Sequence, residues 1–390
     1  MTRIGFVYAF DDVDWLGGKN YFASLFEAIH RTQSAEVEIL LFIGHKTKTS
    51  LPVDFPFLKV IKTRMLDRLH PLWLFRQFTL RFMVTDPALA TILRRHRIDL
   101  LSHSGFIGGA RQTKTLGWLF DFQFLHLPHH WQPRQLARVK SLYQNTCDQC
   151  DAVVVSSDDA LADLQRFTNV RHSSTFVLKF VSNPIDFNAI PSRQIVIEKY
   201  RLPNDYFYLP NQFWMHKNHR LVIDALILLK TGGHSLTVVC TGRTSDLRND
   251  DYFSDLMSHC TEQGLQDRFI VLGLVPYVDT QALMANCVAV INPSRFEGWS
   301  TTVEEAKAFG KRMLLSDLSV HREQAGDNGK YFGVDDAEAL AGQLVRTEAE
   351  SCAEYRSEDL QATHAVRRAE FGRNYLKIVE EVVGKNSAMP

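Results

Sequence analysis

Residues 291–310 read INPSRFEGWSTTVEEAKAFG. An apolar run ends at Pro293, a turn follows, and a helix is expected after it. Glu297 falls in the turn and Glu305 inside the helix, with seven residues between them. A carboxylate accepts two hydroxyl donors well, as on a sugar ring or a ribose. A helix N-terminus nearby favours negative charge, such as a phosphate. A loop carboxylate and a first-turn carboxylate can therefore face one ligand. Two solvated surface glutamates are the other reading these residues allow. Thr301 and Glu304 have capping-box spacing, which gives Glu304 a structural role and leaves Glu305 spare. Arg295, Phe296, Gly298 and Trp299 make the turn unusually rich in groups that hold a ligand.

Such a turn needs strands and helices to position it. Ile4 to Phe10, VEILLFIG (37–44), IDLLSHSG (98–105) and CDAVVVSS (150–157) read as strands with helical stretches between. DDVDWLGGKN (11–20) reads as a loop, with YFASLFEAIH as the helix after it. A second series starts near residue 190 with YFYLPNQ (206–212), HSLTVVCTG (234–242), RFIVLGLV (268–275), VAVINPS (288–294) and KRMLLSD (311–317). Short strands alternating with helices predict parallel sheets covered on both faces. The fold class expected is α/β, with two doubly wound Rossmann-like domains facing a cleft and a hinge near 182–192. The expected domains are 1–188, 189–365 and a C-terminal helix in 366–390 that packs back on the first. Ligands of open parallel sheets bind beyond the carboxyl ends of the strands, so the site is expected in loops that follow strands.

Composition excludes several classes. The 390 residues carry 44 basic and 44 acidic side chains, and nothing in that balance calls for nucleic acid. Six cysteines are few, and only Cys147 and Cys150 lie close, in CDQC. Structural thiols in a reducing compartment are the favoured reading over a redox or half-metal motif. No run reaches the ~20 apolar residues of a membrane span, and the start, MTRIGFVYAF, lacks a signal-peptide pattern. A cytoplasmic protein is expected. Residues 64–83 interleave Arg64, Arg68, Arg76 and Arg81 with Trp73, Phe75, Phe78 and Phe82. That mixture suits peripheral contact with an anionic membrane on the inner face of the cell, while a core helix with a solvated basic face is the alternative. No G-x-G-x-x-G follows the first strand, which argues against a dinucleotide oxidoreductase.

PSRFEGWSTTVEEA resembles the E-x7-E segment of retaining nucleotide-sugar glycosyltransferases of family 4, which have the GT-B fold. The strand, loop and helix before it (VLGLVPYVDTQALMANCVAVINPS), LLSDLSVHREQAGDNGKYFGVDD after it and VVVSSDDALADL (153–164) are similar to family segments too. The resemblance implies that Glu297 meets the transferred sugar and Glu305 holds the ribose. YFYLPNQFWMHKNH resembles the entry to the second domain, which implies that Lys217 reaches the donor phosphates. Many members carry Arg five residues earlier, where this chain has Gln212, so Arg243 or Arg295 is expected to help. WLGGKN (15–20) resembles the glycine-rich loop after strand one, where Gly17 and Gly18 would let backbone N–H groups approach the ligand. DFQFLHLPHHW (121–131) departs from a family subgroup by placing Phe124 where that subgroup has His. His126 is the favoured substitute and His103 a rival.

The implied catalytic set is Glu297, Lys217 and His126. Gly17, Gly18, Gln212, Arg243, Arg295, Gly298, Trp299 and Glu305 would bind the donor. No metal site and no cofactor is expected beyond the nucleotide sugar as donor substrate. The implied reaction moves a hexose or related sugar from a GDP- or UDP-sugar to a glycan or lipid-linked acceptor, in cell-surface polysaccharide or lipopolysaccharide synthesis. A nucleotide-sugar epimerase or phosphorylase of the same fold, and a non-catalytic nucleotide-sugar scaffold, are the alternatives.

Overall fold

A computed structural model describes residues 1–11, 16–32, 36–103, 107, 112–168, 174–246, 248–350 and 357–384. Trp15, Ser104, Gly105 and Cys352 lie outside these, as does the 12–15 part of the expected first loop. The chain divides into two compact units, one of residues 1–183 with 366–390 and one of residues 184–365.

The first unit opens with β1 (Thr2–Tyr8), α1 (Leu16–Arg31), β2 (Val37–Ile43), α2 (Leu51–Asp54) and β3 (Lys59–Lys62). Then come α3 (Pro71–Phe82), α4 (Pro87–Arg95), β4 (Leu100–Ser102), β5 (Lys114–Leu119) and α5 (Gln123–His126). It continues with α6 (Pro133–Gln149), β6 (Ala152–Val155), α7 (Asp158–Phe167) and β7 (Thr175–Val177). The described strands form one sheet in the order β3-β2-β1-β4-β5-β6-β7, parallel at every pairing. Such strands are covered on both faces, which is why β2 and β6 read as near-continuous apolar runs. Leu40, Phe42, Leu93 and Leu101 share one core cluster. Phe122, Phe124, Tyr143 and Val153 share another.

The second unit runs α8 (Arg193–Tyr200), β8 (Phe207–Leu209), α9 (His219–Thr231), β9 (Val238–Cys240), α10 (Tyr252–Glu262) and β10 (Phe269–Val271). It goes on through α11 (Tyr277–Asn286), β11 (Val290–Asn292), α12 (Thr301–Ala308) and β12 (Met313–Ser316). It ends with α13 (Ser319–Ala325), β13 (Gly329–Phe332) and α14 (Ala337–Ala349). Its sheet has the order β10-β9-β8-β11-β12-β13, again parallel. The last helix, α15 (Ser357–Gly384), spans the boundary between the units. Both units are doubly wound and Rossmann-like, as expected. In each, strand order reverses beside the unit's first strand, between β1 and β4 and between β8 and β11. That reversal opens the crevice where such sheets take ligands.

Two local expectations need correction. α1 already begins at Leu16, so Gly17 and Gly18 are first-turn helical residues rather than part of a loop. The cap of α12 is Ser300, whose hydroxyl accepts from the Val303 N–H, and not Thr301. A residue in extended backbone can cap, while Thr301 is already helical.

Candidate functional site

The loops at the carboxyl ends of β8 and β11 meet at the reversal point of the second sheet. Lys217 sits on a 3-10 turn, Met215–Lys217, that follows β8. Asn218 next to it takes a left-handed φ of 55° and starts α9. Asparagine tolerates that conformation better than most side chains. The Arg295 N–H donates to the His216 carbonyl at 2.8 Å, so the two loops are stitched together.

Lys217 and Glu297, 80 residues apart in sequence, come together here. The Lys217 ammonium donates to Glu297 Oε1 at 2.7 Å, and both side chains are largely buried. Asn292 Nδ2 donates to the same oxygen at 3.3 Å. The Ser294 hydroxyl lies 2.7 Å from Glu297 Oε1 and 2.7 Å from Asn292 Oδ1, and its single proton serves one at a time. Burial pushes the Glu297 carboxyl up, but the Lys217 charge, the His321 ring and these hydrogen bonds outweigh it. Glu297 is therefore held below the ordinary carboxylate range and stays ionised.

Behind this pair is a polar lattice that sequence reasoning did not single out. Asn211 donates to Asn292 Oδ1 at 3.0 Å and accepts from the Thr302 hydroxyl at 2.9 Å. Asn292 Nδ2 also reaches Ser300 Oγ at 2.8 Å. His321 is fully buried on α13, and its Nδ1 donates to the Ser316 carbonyl at 2.8 Å. A carbonyl only accepts, so Nδ1 carries the proton and Nε2 keeps a lone pair. Burial lowers the His321 pKa, with the Glu297 charge opposing. One signal was available: Asn211, Asn292 and Ser316 each end an apolar strand run with a polar residue.

Glu304 does not need a capping role. It is fully buried and accepts from Gln324 Nε2 at 3.0 Å and Lys307 Nζ at 3.1 Å. Gln324 in turn accepts from the Ser300 N–H at 3.1 Å and donates to the Ser300 carbonyl at 2.8 Å, which fastens the start of α12 to α13. Glu305 is the fifth residue of α12, one beyond the first turn. Its carboxylate accepts from the Tyr277 hydroxyl at 3.2 Å. It is partly exposed, yet the surrounding protein removes enough water to push its carboxyl up to about 7, with the Tyr277 hydroxyl opposing.

Gln212 has a defined task. Its Oε1 accepts from the Arg243 N–H at 2.7 Å, and the Phe213 N–H donates to the Arg243 carbonyl at 2.9 Å. The exposed Arg243 is thus clasped beside Lys217's loop. Gly242 makes this approach feasible. Its φ is 139°, and a Cβ there would fall well inside contact distance of the Asn211 carbonyl. The Arg295 guanidinium pairs with Asp335 Oδ1 at 2.6 Å. Gly298 and Trp299 form the bend just before Ser300, both partly exposed.

Gly17, Gly18 and both candidate histidines lie in the first unit. Nothing lies within 4 Å of where a Gly17 Cβ would be. His126 is bound to the buried Asp163 at 2.7 Å, and that hydrogen bond raises its pKa above the ordinary value. Phe124 is a core residue, packed edge-on against Tyr143 with centroids 5.1 Å apart. His103 directly follows β4 with a left-handed φ of 56°. Tyr21 OH lies 2.6 Å from its Nε2 and Ser102 Oγ 2.8 Å from its Nδ1. Burial pushes His103 down to about 3, so it is neutral in ordinary buffers. The Cys147 and Cys150 thiols are each pushed up to about 12 by burial, which makes them inert. Among the described residues, no cluster of three or more His, Cys, Asp or Glu could hold a metal ion.

Residues 195–358 match the family model for glycosyl transferases group 1. The second unit is related to that family. The O-antigen chain mannosyltransferase RfbU of Salmonella typhimurium is 25% identical over 163 residues, which is 42% of this chain. The match spans 43% of the length of RfbU. A glycosyltransferase from Rickettsia africae aligns over 99% of both chains, with a TM-score of 0.69 and 14% identity. The Anabaena protein Alr3699/HepE, solved with UDP and glucose, aligns over 100% of both chains, with a TM-score of 0.65 and 17% identity. These structural likenesses establish the fold, whose two units have the Rossmann-like form of GT-B proteins.

Proposed function

We propose that the chain is a retaining glycosyltransferase that moves a sugar from a nucleoside-diphosphate sugar to a hydroxyl of a glycan or lipid-linked acceptor. The observation that carries this is the Lys217–Glu297 pair at the strand-order reversal, with Glu305 just past the first turn of the following helix, inside the segment that matches glycosyl transferases group 1. RfbU is named a mannosyltransferase of O-antigen chains, and the HepE structure holds UDP and glucose. These favour a sugar nucleotide as donor and cell-surface polysaccharide or lipopolysaccharide as product.

The chemistry balances without a metal. The acceptor oxygen bonds to the anomeric carbon as the bond from that carbon to the phosphate oxygen breaks. The nucleoside diphosphate leaves with the electron pair, and its oxygen takes the acceptor's proton. Negative charge grows on the diphosphate, and a fixed cation stabilises it most when no reorganisation is needed. Lys217 is such a cation, because the buried Glu297 holds it in place. Glu297 orients the sugar hydroxyls and Glu305 the ribose. Neither is assigned as a nucleophile, unlike the paired acids of glycosidases.

Turnover with a panel of UDP- and GDP-sugars tests this, with product anomers read by NMR. Transfer with retained configuration is expected, and inverted product would overturn the retaining assignment. Sugar interconversion without any acceptor would instead mark an epimerase. Nucleotide binding without turnover would mark a scaffold.

A further inference from the structure

The α3 helix carries an apolar face that nothing in its unit covers. Leu72, Phe75, Phe78 and Phe82 are spaced by three, three and four residues, so they form one stripe, and all four are exposed. Phe78 is 56% and Phe82 70% exposed, and their ring centroids lie 4.9 Å apart with the planes tilted by 43°. Leu69 and Met83 extend the stripe at either end. Elsewhere among the described residues, exposed large apolar side chains are scattered, which is ordinary for a surface. A contiguous patch of this kind marks an interaction site.

The rotation of α3 is fixed. Trp73, Arg76 and Leu80 on the opposite face are only partly exposed, Thr79 at the edge of the stripe is buried, and Arg76 pairs with the buried Asp86. Asp86 also caps α4 by accepting from the Leu89 N–H at 3.0 Å. Arg76 is therefore a structural anchor and not a surface cation, and it keeps the phenylalanines pointing outward. The helix ends are held in costly conformations, with left-handed φ at Leu69 (68°) and at the β-branched Val84 (51°). Exposed cations flank the stripe at Lys62, Arg64, Arg68 and Arg81, and none has an ion-pair partner among the described residues. The one acidic residue of this stretch, Asp67, is buried and accepts from the Lys46 N–H at 2.8 Å.

We infer that this face docks α3 in the plane of a bilayer surface that contains anionic lipid. Phenylalanine and leucine enter the headgroup boundary, and the arginines meet lipid phosphates. No described helix is long and apolar enough to cross a membrane, so the contact lies on the surface. A second copy of this chain is a poor occupant, because a two-fold interface would set the same cations against each other. α3 follows the carboxyl end of β3, the side of the sheet where ligands of such folds bind. The inference rests on α3 and the residues flanking it, and stands or falls separately from the proposed transfer reaction.

Sedimentation of the full chain with vesicles reads it without any activity assay. Vesicles of phosphatidylcholine alone are compared with vesicles containing about 30% phosphatidylglycerol, at low salt and at about 0.5 M salt. Binding to the anionic vesicles at low salt is expected, with each exposed cation worth about fivefold. F75S/F78S/F82S should lose at least about tenfold in vesicle affinity with an unchanged melting temperature, since these side chains are already exposed. R64E/R68E/R81E should lose the preference for anionic lipid. No binding to either vesicle, or equal binding by wild type and the triple serine variant, would overturn the inference. Dimerisation that the serine variant abolishes would do so too, and would assign the face to a second copy.

Discussion

Lys217 gives one of its three N–H donors to Glu297, which leaves two for a ligand. The pair is a structural contact and, in the proposed function, also the donor site, and the two roles separate by mutation. Lys217→Met leaves a buried carboxylate without its cation and should cost about 3 kcal/mol of stability in chemical denaturation. Adding Glu297→Gln should restore most of that loss while activity stays absent. A double variant as unstable as the single one would show that the charges are not the coupling. Glu297→Gln alone keeps an acceptor for Ser294 and should lower kcat by about a hundredfold or more; it leaves the Lys217 ammonium without its carboxylate and should lower the melting temperature as well. Glu305 brings a pH dependence. Folding raises this carboxyl from 4.5 to about 7, so the unfolded chain gives up its proton first as pH rises. Its contribution to stability is intact below 4.5, declines across the interval and levels off above 7. Glu305→Gln should therefore match wild type near pH 4.5 and exceed it above 7 in thermal melts. If ribose hydroxyls bind the ionised form, nucleotide affinity rises through the same interval in wild type and stays flat in the variant. The carboxylate pair was legible in the sequence because its spacing and turn chemistry are local. Asn211 and Gln324 were not, because their partners Thr302 and Ser300 lie 91 and 24 residues away in sequence and only the folded sheet brings them near.

At the scale of elements, backbone approach decides as much as side-chain chemistry. The loop after β9 reaches Asn211 only because residue 242 has no Cβ. Gly242→Ala should cost about 2–4 kcal/mol, since it combines a left-handed φ with a backbone clash, and should weaken nucleotide binding through the displaced Arg243 loop. Equilibrium denaturation and a nucleotide titration would check both. The interior strands were readable as apolar runs, and β2 and β6 fall inside the expected segments. The edge strands β3, β7 and β13 were not, since each is three or four residues long and partly exposed. β5 was hidden by Gly117, where a Cβ would collide with Thr146 of α6. That glycine breaks the apolar run so that a helix can lie close. The helical start at Leu16 was misread for a related reason: two glycines signal a turn to a sequence reader, yet a first helical turn accepts them.

For the whole molecule, α15 leaves the second unit and supplies Phe371, Tyr375, Ile378, Val379 and Val382 to the first, all buried. Tyr375 also donates to Ser102 Oγ at 2.9 Å. Five such side chains represent roughly 7–15 kcal/mol of burial, comparable to the entire stability of a domain. A chain that stops at residue 365 should lose the first unit's cooperative unfolding while residues 184–365 keep theirs, as calorimetry or hydrogen exchange would show. The first unit is thus closed by residues made after the whole of the second unit, so it finishes folding only once residues 366–384 have been made. The Lys217–Glu297 contact spans 80 residues and sets a second clock. At the usual pace of about 5–20 residues per second, several seconds separate synthesis of the lysine from synthesis of its carboxylate. A nascent chain passes through that interval with an unpaired ammonium and no glutamate to hold it. Ligand-dependent protection from protease should therefore appear late during translation, when the chain has cleared α12, and it offers a readout of folding that needs no knowledge of the acceptor.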